Sequence, residues 1–251
     1  MAFATISVWS ANIQKTTTFH VLLPYSAGPF RVLYLLGGLS DDHTGWMRRT
    51  SIERYADEYG EKHNLMIVMP DGGRGFYVND PRPGGAQYED YAAVELVRFV
   101  DSWFPTVRSA SGRAVAGLSM GGYGALMLAM RRPDVFSVGS SHSGAVLFAR
   151  DNKLNSTPDI PDASALAAAL PAGKYCLSTL AAGLARSGKA PALRMDCGDK
   201  DFLLGANREL HATLGKLGIA HEYHEFPGDH EWGYWDAHVP ETLKFVVERL
   251  G

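Results

Sequence analysis

Short apolar runs bounded by Gly, Pro and Asn alternate with amphipathic stretches along the whole chain. The runs at 31–36, 65–69 and 114–118 are continuous, the pattern of strands buried on both faces of a parallel sheet. Runs at 5–9 and 18–23 flank a polar gap holding Asn12, Gln14 and Lys15, which predicts a hairpin. Further strands are expected at 136–141, 192–197 and 221–226. Between them the spacing turns helical. Ile52, Tyr55, Ala56 and Tyr59 share one face of a helix over 50–62, and a strongly amphipathic stretch covers 88–104 before Pro105. Others follow at 125–132, stopped by Pro133, at 202–217, stopped by Gly218, and at 232–250, interrupted near Pro240. Strand and helix alternating in this way predict an α/β fold: a mostly parallel sheet flanked by helices, with an antiparallel start.

Two stretches break the rhythm. Residues 145–190 are rich in Ala, Pro, Ser and Asn, with short helices expected at 163–170 and 175–186. They read as a small lid insertion within one domain spanning 1–251, not as a second domain. The Gly- and Pro-rich loop 74–85 is long enough to be functional, and its Phe76 and Tyr77 are candidates for stacking on an aromatic ligand.

Composition narrows the classes. A net charge of −3 with no basic run longer than two residues leaves no nucleic-acid footprint, and no apolar stretch is long enough to span a bilayer. Residues 1–10 lack the pattern of a secretory leader, so a cytoplasmic location is expected. Cys176 and Cys197 form no metal-binding or redox spacing and are expected as reduced thiols. Asn155-Ser156-Thr157 matches the glycosylation pattern, which carries no weight without export.

The chemistry centres on Gly117-Leu118-Ser119-Met120-Gly121, a G-x-S-x-G between a predicted strand and a helix. A turn that sharp lifts the serine hydroxyl above the sheet edge and needs glycine two positions to either side. A serine hydroxyl also needs a base, and the base an orienting acid. The fold type places them in the order Ser, Asp, His, on loops past strand ends. His142 comes too early, His211 and His238 lie in predicted helices, and His221 and His224 lie within the last strand. Only His230 follows that strand in a loop, behind Pro227-Gly228-Asp229. For the acid, both Asp199 and Asp201 follow the strand ending at Cys197. The oxyanion would take one backbone N–H from Met120 and one from Gly38 or Leu39 in the glycine loop after Leu36. His221-Glu222-Tyr223-His224 misses the HExxH spacing by one position and falls in a predicted strand.

Four segments together resemble the esterase D family of α/β-hydrolases. They are Leu36-Gly37-Gly38-Leu39-Ser40-Asp41-Asp42-His43-Thr44-Gly45-Trp46, Gly117-Leu118-Ser119-Met120-Gly121-Gly122, Asp196-Cys197-Gly198-Asp199-Lys200-Asp201-Phe202-Leu203 and Pro227-Gly228-Asp229-His230-Glu231-Trp232. The bacterial tributyrin and acetyl esterases are the most similar branch, with S-formylglutathione hydrolases and feruloyl esterases as relatives. The resemblance implies the α/β-hydrolase fold and a serine carboxylesterase acting on a small-molecule ester through Ser119, Asp201 and His230. It favours Asp201 over Asp199 and Leu39 as the oxyanion donor beside Met120. No cofactor, metal, nucleic acid or membrane is called for, and a homo-oligomer is compatible with it. The family usually carries His-Gly-Leu where this chain has Gly37-Gly38-Leu39, so position 37 lacks a side chain that often supports the oxyanion loop.

Overall fold

Strands β1 (Ala2–Ser10) and β2 (Lys15–Leu23) form the expected hairpin, and β2 lies antiparallel to β4 (Leu65–Pro70). From there the sheet is parallel: β4, β3 (Arg31–Leu36), β5 (Arg113–Leu118), β6 (Val138–His142), β7 (Ala192–Gly198) and β8 (His221–Phe226). This is a computed structural model that describes residues 1–150 and 160–251. Among them the sheet has eight strands in the order β1-β2-β4-β3-β5-β6-β7-β8.

The unbroken apolar runs have the expected consequence. Val32, Tyr34 and Leu36 enter one core, and Leu33 and Leu35 the other. Alternation across the pleat therefore feeds both faces. One face is covered by α1 (Gly45–Arg49), α2 (Ile52–His63) and α9 (Trp232–Arg249). The other takes α4 (Leu96–Trp103), α5 (Met120–Arg131), α7 (Leu177–Ser187) and α8 (Leu204–Lys216). The short α3 (Tyr88–Asp90) runs through a π-helical turn, Tyr91–Glu95, into α4. Fully burying one such aliphatic side chain contributes about 1.5–3 kcal/mol.

Three expectations change. First, α5 begins at Met120, directly after the serine, and not at residue 125. Its glycines are poor helix formers but allow close approach, since a Cβ on Gly122 would lie 2.6 Å from Ser141 Oγ. Second, α9 runs through Pro240 without interruption. Val239, Thr242, Leu243 and Val246 are all fully buried on one side of it, and this packing outweighs the lost backbone bond. Third, β6 extends to His142, which is fully buried and not in the following loop. In the 145–190 stretch, α6 (Pro161–Ala169) and α7 appear as expected, while Asn155-Ser156-Thr157 lies outside the described residues. Cys176 and Cys197 are both free. No helix of the described residues is long and apolar enough to cross a membrane.

Candidate active site

The parallel strands all end at one rim, where open α/β sheets bind ligands. Ser119 sits there between β5 and α5 with φ 53° and ψ −116°. A serine in that left-handed region is strained by about 1–3 kcal/mol. Its backbone is over-determined: its N–H donates to His142 O at 2.9 Å, and its carbonyl accepts from Tyr123 N at 3.0 Å and Ala145 N at 3.0 Å. The glycines on either side are required by space. A Cβ on Gly117 would lie 2.6 Å from the Gly121 backbone, and one on Gly121 would lie 2.5 Å from Gly37 O. Ser119 thus stands at the positive end of a 12-residue helix.

Residues predicted from three separate loops meet at this hydroxyl. His230 Nε2 lies 3.0 Å from Ser119 Oγ, and His230 Nδ1 lies 2.9 Å from Asp201 Oδ2. An ionised carboxylate only accepts, so Nδ1 carries the proton and Nε2 is left to accept from the serine. Burial alone would raise the Asp201 pKa. Its interactions with His230, the neighbouring Ser143 hydroxyl and the Leu203 N–H outweigh that and hold it below the usual carboxylate range. The imidazole is packed edge-on against Trp235 at 5.0 Å and tilted against Phe202 at 4.6 Å between ring centroids. Phe202 remains 53% exposed beside the imidazole.

Asp199, the competing acid, has a different place. Its carboxylate accepts from Gly228 N at 3.0 Å, and Lys200 N donates to Gly228 O at 2.9 Å. These bonds tie the acid loop to the histidine loop.

The turn after β3 closes the other side. A Cβ on Gly38 would lie 2.7 Å from Leu118 and 3.7 Å from Ser119 Cβ, so the glycine loop abuts the nucleophile elbow. The Gly38 carbonyl accepts from Asp41 N at 3.3 Å. In a planar trans peptide the Leu39 N–H points the opposite way. Leu36 O accepts from Trp46 Nε1 at 3.1 Å, and Gly37 O accepts from the Tyr77 hydroxyl at 3.2 Å. Arg74 bridges Ser40 and Asp162 of α6, with Nη2 2.8 Å from Asp162 Oδ1. Phe76 and Tyr77 are fully buried, so they are not placed to stack on a ligand as expected from the loop's composition. Sequence reasoning singled out Tyr77 but not its contact with Gly37, and it missed the role of Ser143. The signals for the Tyr77 contact were the glycines at 72 and 124, which leave room for its ring.

His221 and His224 lie in β8, and His221 Nε2 meets His211 Nδ1 at 2.8 Å on the surface, away from this rim. Among the described residues no group of three or more His, Cys, Asp or Glu is placed to hold a metal ion.

An α/β-hydrolase sheet with a serine on its nucleophile elbow is the frame of a serine hydrolase. More narrowly, the chain belongs to the Esterase family, whose model matches residues 10–246. It is 25% identical to the acetyl esterase of Caldicellulosiruptor saccharolyticus over 98% of both chains. Among solved structures it is similar to the substrate-bound fluorophosphonate-binding serine hydrolase F of Staphylococcus aureus, with 27% identity, 98% of each chain covered and a TM-score of 0.85. An S-formylglutathione hydrolase of the same organism matches at 27% identity and TM-score 0.83, again over 98% of each chain. The protein is a carboxylic ester hydrolase of the serine esterase type.

Proposed function

We propose that the protein hydrolyses short-chain acyl esters through an acyl-enzyme on Ser119. His230 takes the serine proton as Oγ attacks the ester carbonyl, then returns it to the leaving alcohol. Asp201 holds the imidazole in the tautomer that leaves Nε2 free. The N–H groups of Leu39 and Met120 receive the oxyanion, and a removed donor of this kind costs about 3 kcal/mol in other enzymes. Water activated by His230 then releases the acid. No cofactor takes part. The unbroken relay Ser119 Oγ–His230–Asp201, at 3.0 and 2.9 Å, carries the reading. The acetyl esterase relative supports a short acyl group. Helix α6 of the 145–190 stretch serves as a small lid, linked to the loop after β3 through Arg74, while α7 packs into the core.

Ser119→Ala is expected to abolish p-nitrophenyl acetate hydrolysis and fluorophosphonate labelling while leaving the thermal midpoint nearly unchanged. Substantial turnover in that variant would refute the assignment. A short acyl thioester is the second reading, favoured by the likeness to an S-formylglutathione hydrolase. Comparing kcat/KM on S-formylglutathione with that on acetyl and butyryl esters decides between them.

A further inference from the structure

The half of the site that follows β3 contains two consecutive glycines, and position 37 has no side chain with which to hold it. Glycine pairs are the most freely rotating links in a chain, yet an oxyanion donor must be held within a fraction of an ångström. The structure supplies the restraint from outside the loop. Trp46, from the core under α1 and α2, donates to the Leu36 carbonyl, and Tyr77, from the opposite core, donates to the Gly37 carbonyl. These same two carbonyls are pressed against the first turn of α5, where a Cβ on Gly121 would lie 2.6 Å from one and 2.5 Å from the other.

Much of the local backbone is arranged around Tyr77. It and Phe76 both have left-handed backbone, at φ 56° and 48°, which bulky side chains rarely adopt. Its ring is fully buried, in a slot cut by Gly72 and Gly124, where a Cβ on either would run into the ring. Packing alone would be served by phenylalanine. The buried hydroxyl instead meets one acceptor, Gly37 O, and burial pushes its pKa well up, so it stays a donor.

We propose that Tyr77 is a positioning residue for ester hydrolysis: by holding the Gly37 carbonyl, its hydroxyl fixes the peptide planes that aim the Leu39 N–H at the oxyanion. This rests on the reading of Leu39 as an oxyanion donor. With Gly37 O held by Tyr77 and Gly38 O by Asp41 N, the planes on both sides of Gly38 are set, and planarity carries that setting to the Leu39 N–H.

Tyr77→Phe removes one oxygen. It is expected to lower kcat/KM for p-nitrophenyl acetate about tenfold, equivalent to about 1.4 kcal/mol. Two inhibitors separate positioning from general loosening. An alkyl trifluoromethyl ketone forms a tetrahedral oxyanion on the serine, and its affinity should fall by the same factor. The matching methyl ketone stays a ground-state carbonyl and should keep its affinity. Rates are normalised to sites titrated with a fluorophosphonate. A Tyr77→Phe chain that does not fold also overturns the proposal, because the hydroxyl would then hold the fold and not the oxyanion loop. Unchanged kcat/KM, or equal loss of affinity for both ketones, overturns the proposal. Wild-type turnover in Tyr77→Phe beside an inactive Ser119→Ala overturns only this inference, whereas turnover in Ser119→Ala overturns the reading beneath it.

Discussion

The molecule contains two histidine–aspartate pairs with the same core geometry and opposite surroundings. At the rim, His230 Nδ1 lies 2.9 Å from Asp201; inside the sheet, His142 Nδ1 lies 2.9 Å from Asp196. Register explains the inner pair, since His142 and Asp196 are direct neighbours on β6 and β7. Its other valences are filled: His142 Nε2 meets Thr242 Oγ1 at 2.9 Å, and Asp196 also accepts from Arg194 and, at 2.9 Å, from the Tyr234 hydroxyl. Both inner side chains have no exposure, while the His230 side chain keeps 17%. A histidine–carboxylate pair becomes an acid–base device only when Nε2 is left for a nucleophile at an open rim. Saturated and enclosed, the same pair is a rivet joining β6, β7 and α9. His142 still serves the rim through its backbone, whose carbonyl takes the Ser119 N–H.

The sharpest way to break this comparison is alanine at each histidine. His230→Ala should lower kcat by about 10⁵-fold with a stability cost under about 2 kcal/mol. His142→Ala should do the reverse. It removes the imidazole's hydrogen bonds to Asp196 and Thr242 and leaves a cavity in the core, at a cost of about 2–5 kcal/mol, while the folded fraction keeps activity within a fewfold. Denaturant midpoints and titrated turnover measure both, and a His142→Ala enzyme that is stable but inactive would erase the distinction.

Next come the acids. Asp201→Asn should reduce kcat by about 10⁴-fold by favouring the wrong imidazole tautomer. Asp196→Asn should destabilise by about 3–5 kcal/mol, because Arg194 is nearly fully buried.

The pH dependence of stability follows. Burial alone would raise the Asp196 pKa, but His142 and Arg194 hold it far below the carboxylate range, and Asp201 is also lowered. A depressed folded pKa means the stabilisation is complete above the unfolded value, about 3.9, and is lost as pH falls through the folded value. Unfolding free energy should therefore decline below about pH 4. Asp196→Asn should flatten that decline more than Asp201→Asn, and equal slopes in all three proteins would contradict this account.

The smallest effect is expected from Tyr234→Phe, which removes one hydrogen bond to Asp196 and should cost about 1.5–3 kcal/mol with kcat unchanged. A fall in kcat would show that Tyr234, whose ring packs on Gly228 in the histidine loop, also orients His230.

Much of this was readable from the chain. Continuous apolar runs marked the inner strands, because a strand covered on both faces has no polar side to show. The loop position of His230 excluded the other histidines, and G-x-S-x-G marked a turn that only glycine permits at two places. The limits were equally physical. Asp199 and Asp201 stand two residues apart on one loop, and local spacing does not say which carboxylate turns to the histidine and which to Gly228. The start of α5 was hidden by three glycines whose low helix propensity is overridden by close packing on Tyr77 and Ser141. Pro240 read as a break because propensity is local and the burial that carries α9 through it is not.

By itself, then, the sequence determined what is local or periodic: which runs are buried, where the turns need glycine, and which serine and histidine stand on loops. The tertiary structure decided what depends on distant segments meeting. It put Asp201 against His230 and Asp199 against Gly228, turned His142 inward to Asp196, and laid the Tyr77 hydroxyl on Gly37 from forty residues away. Such contacts are chosen by the packing of whole faces, and no stretch of chain carries that choice within it.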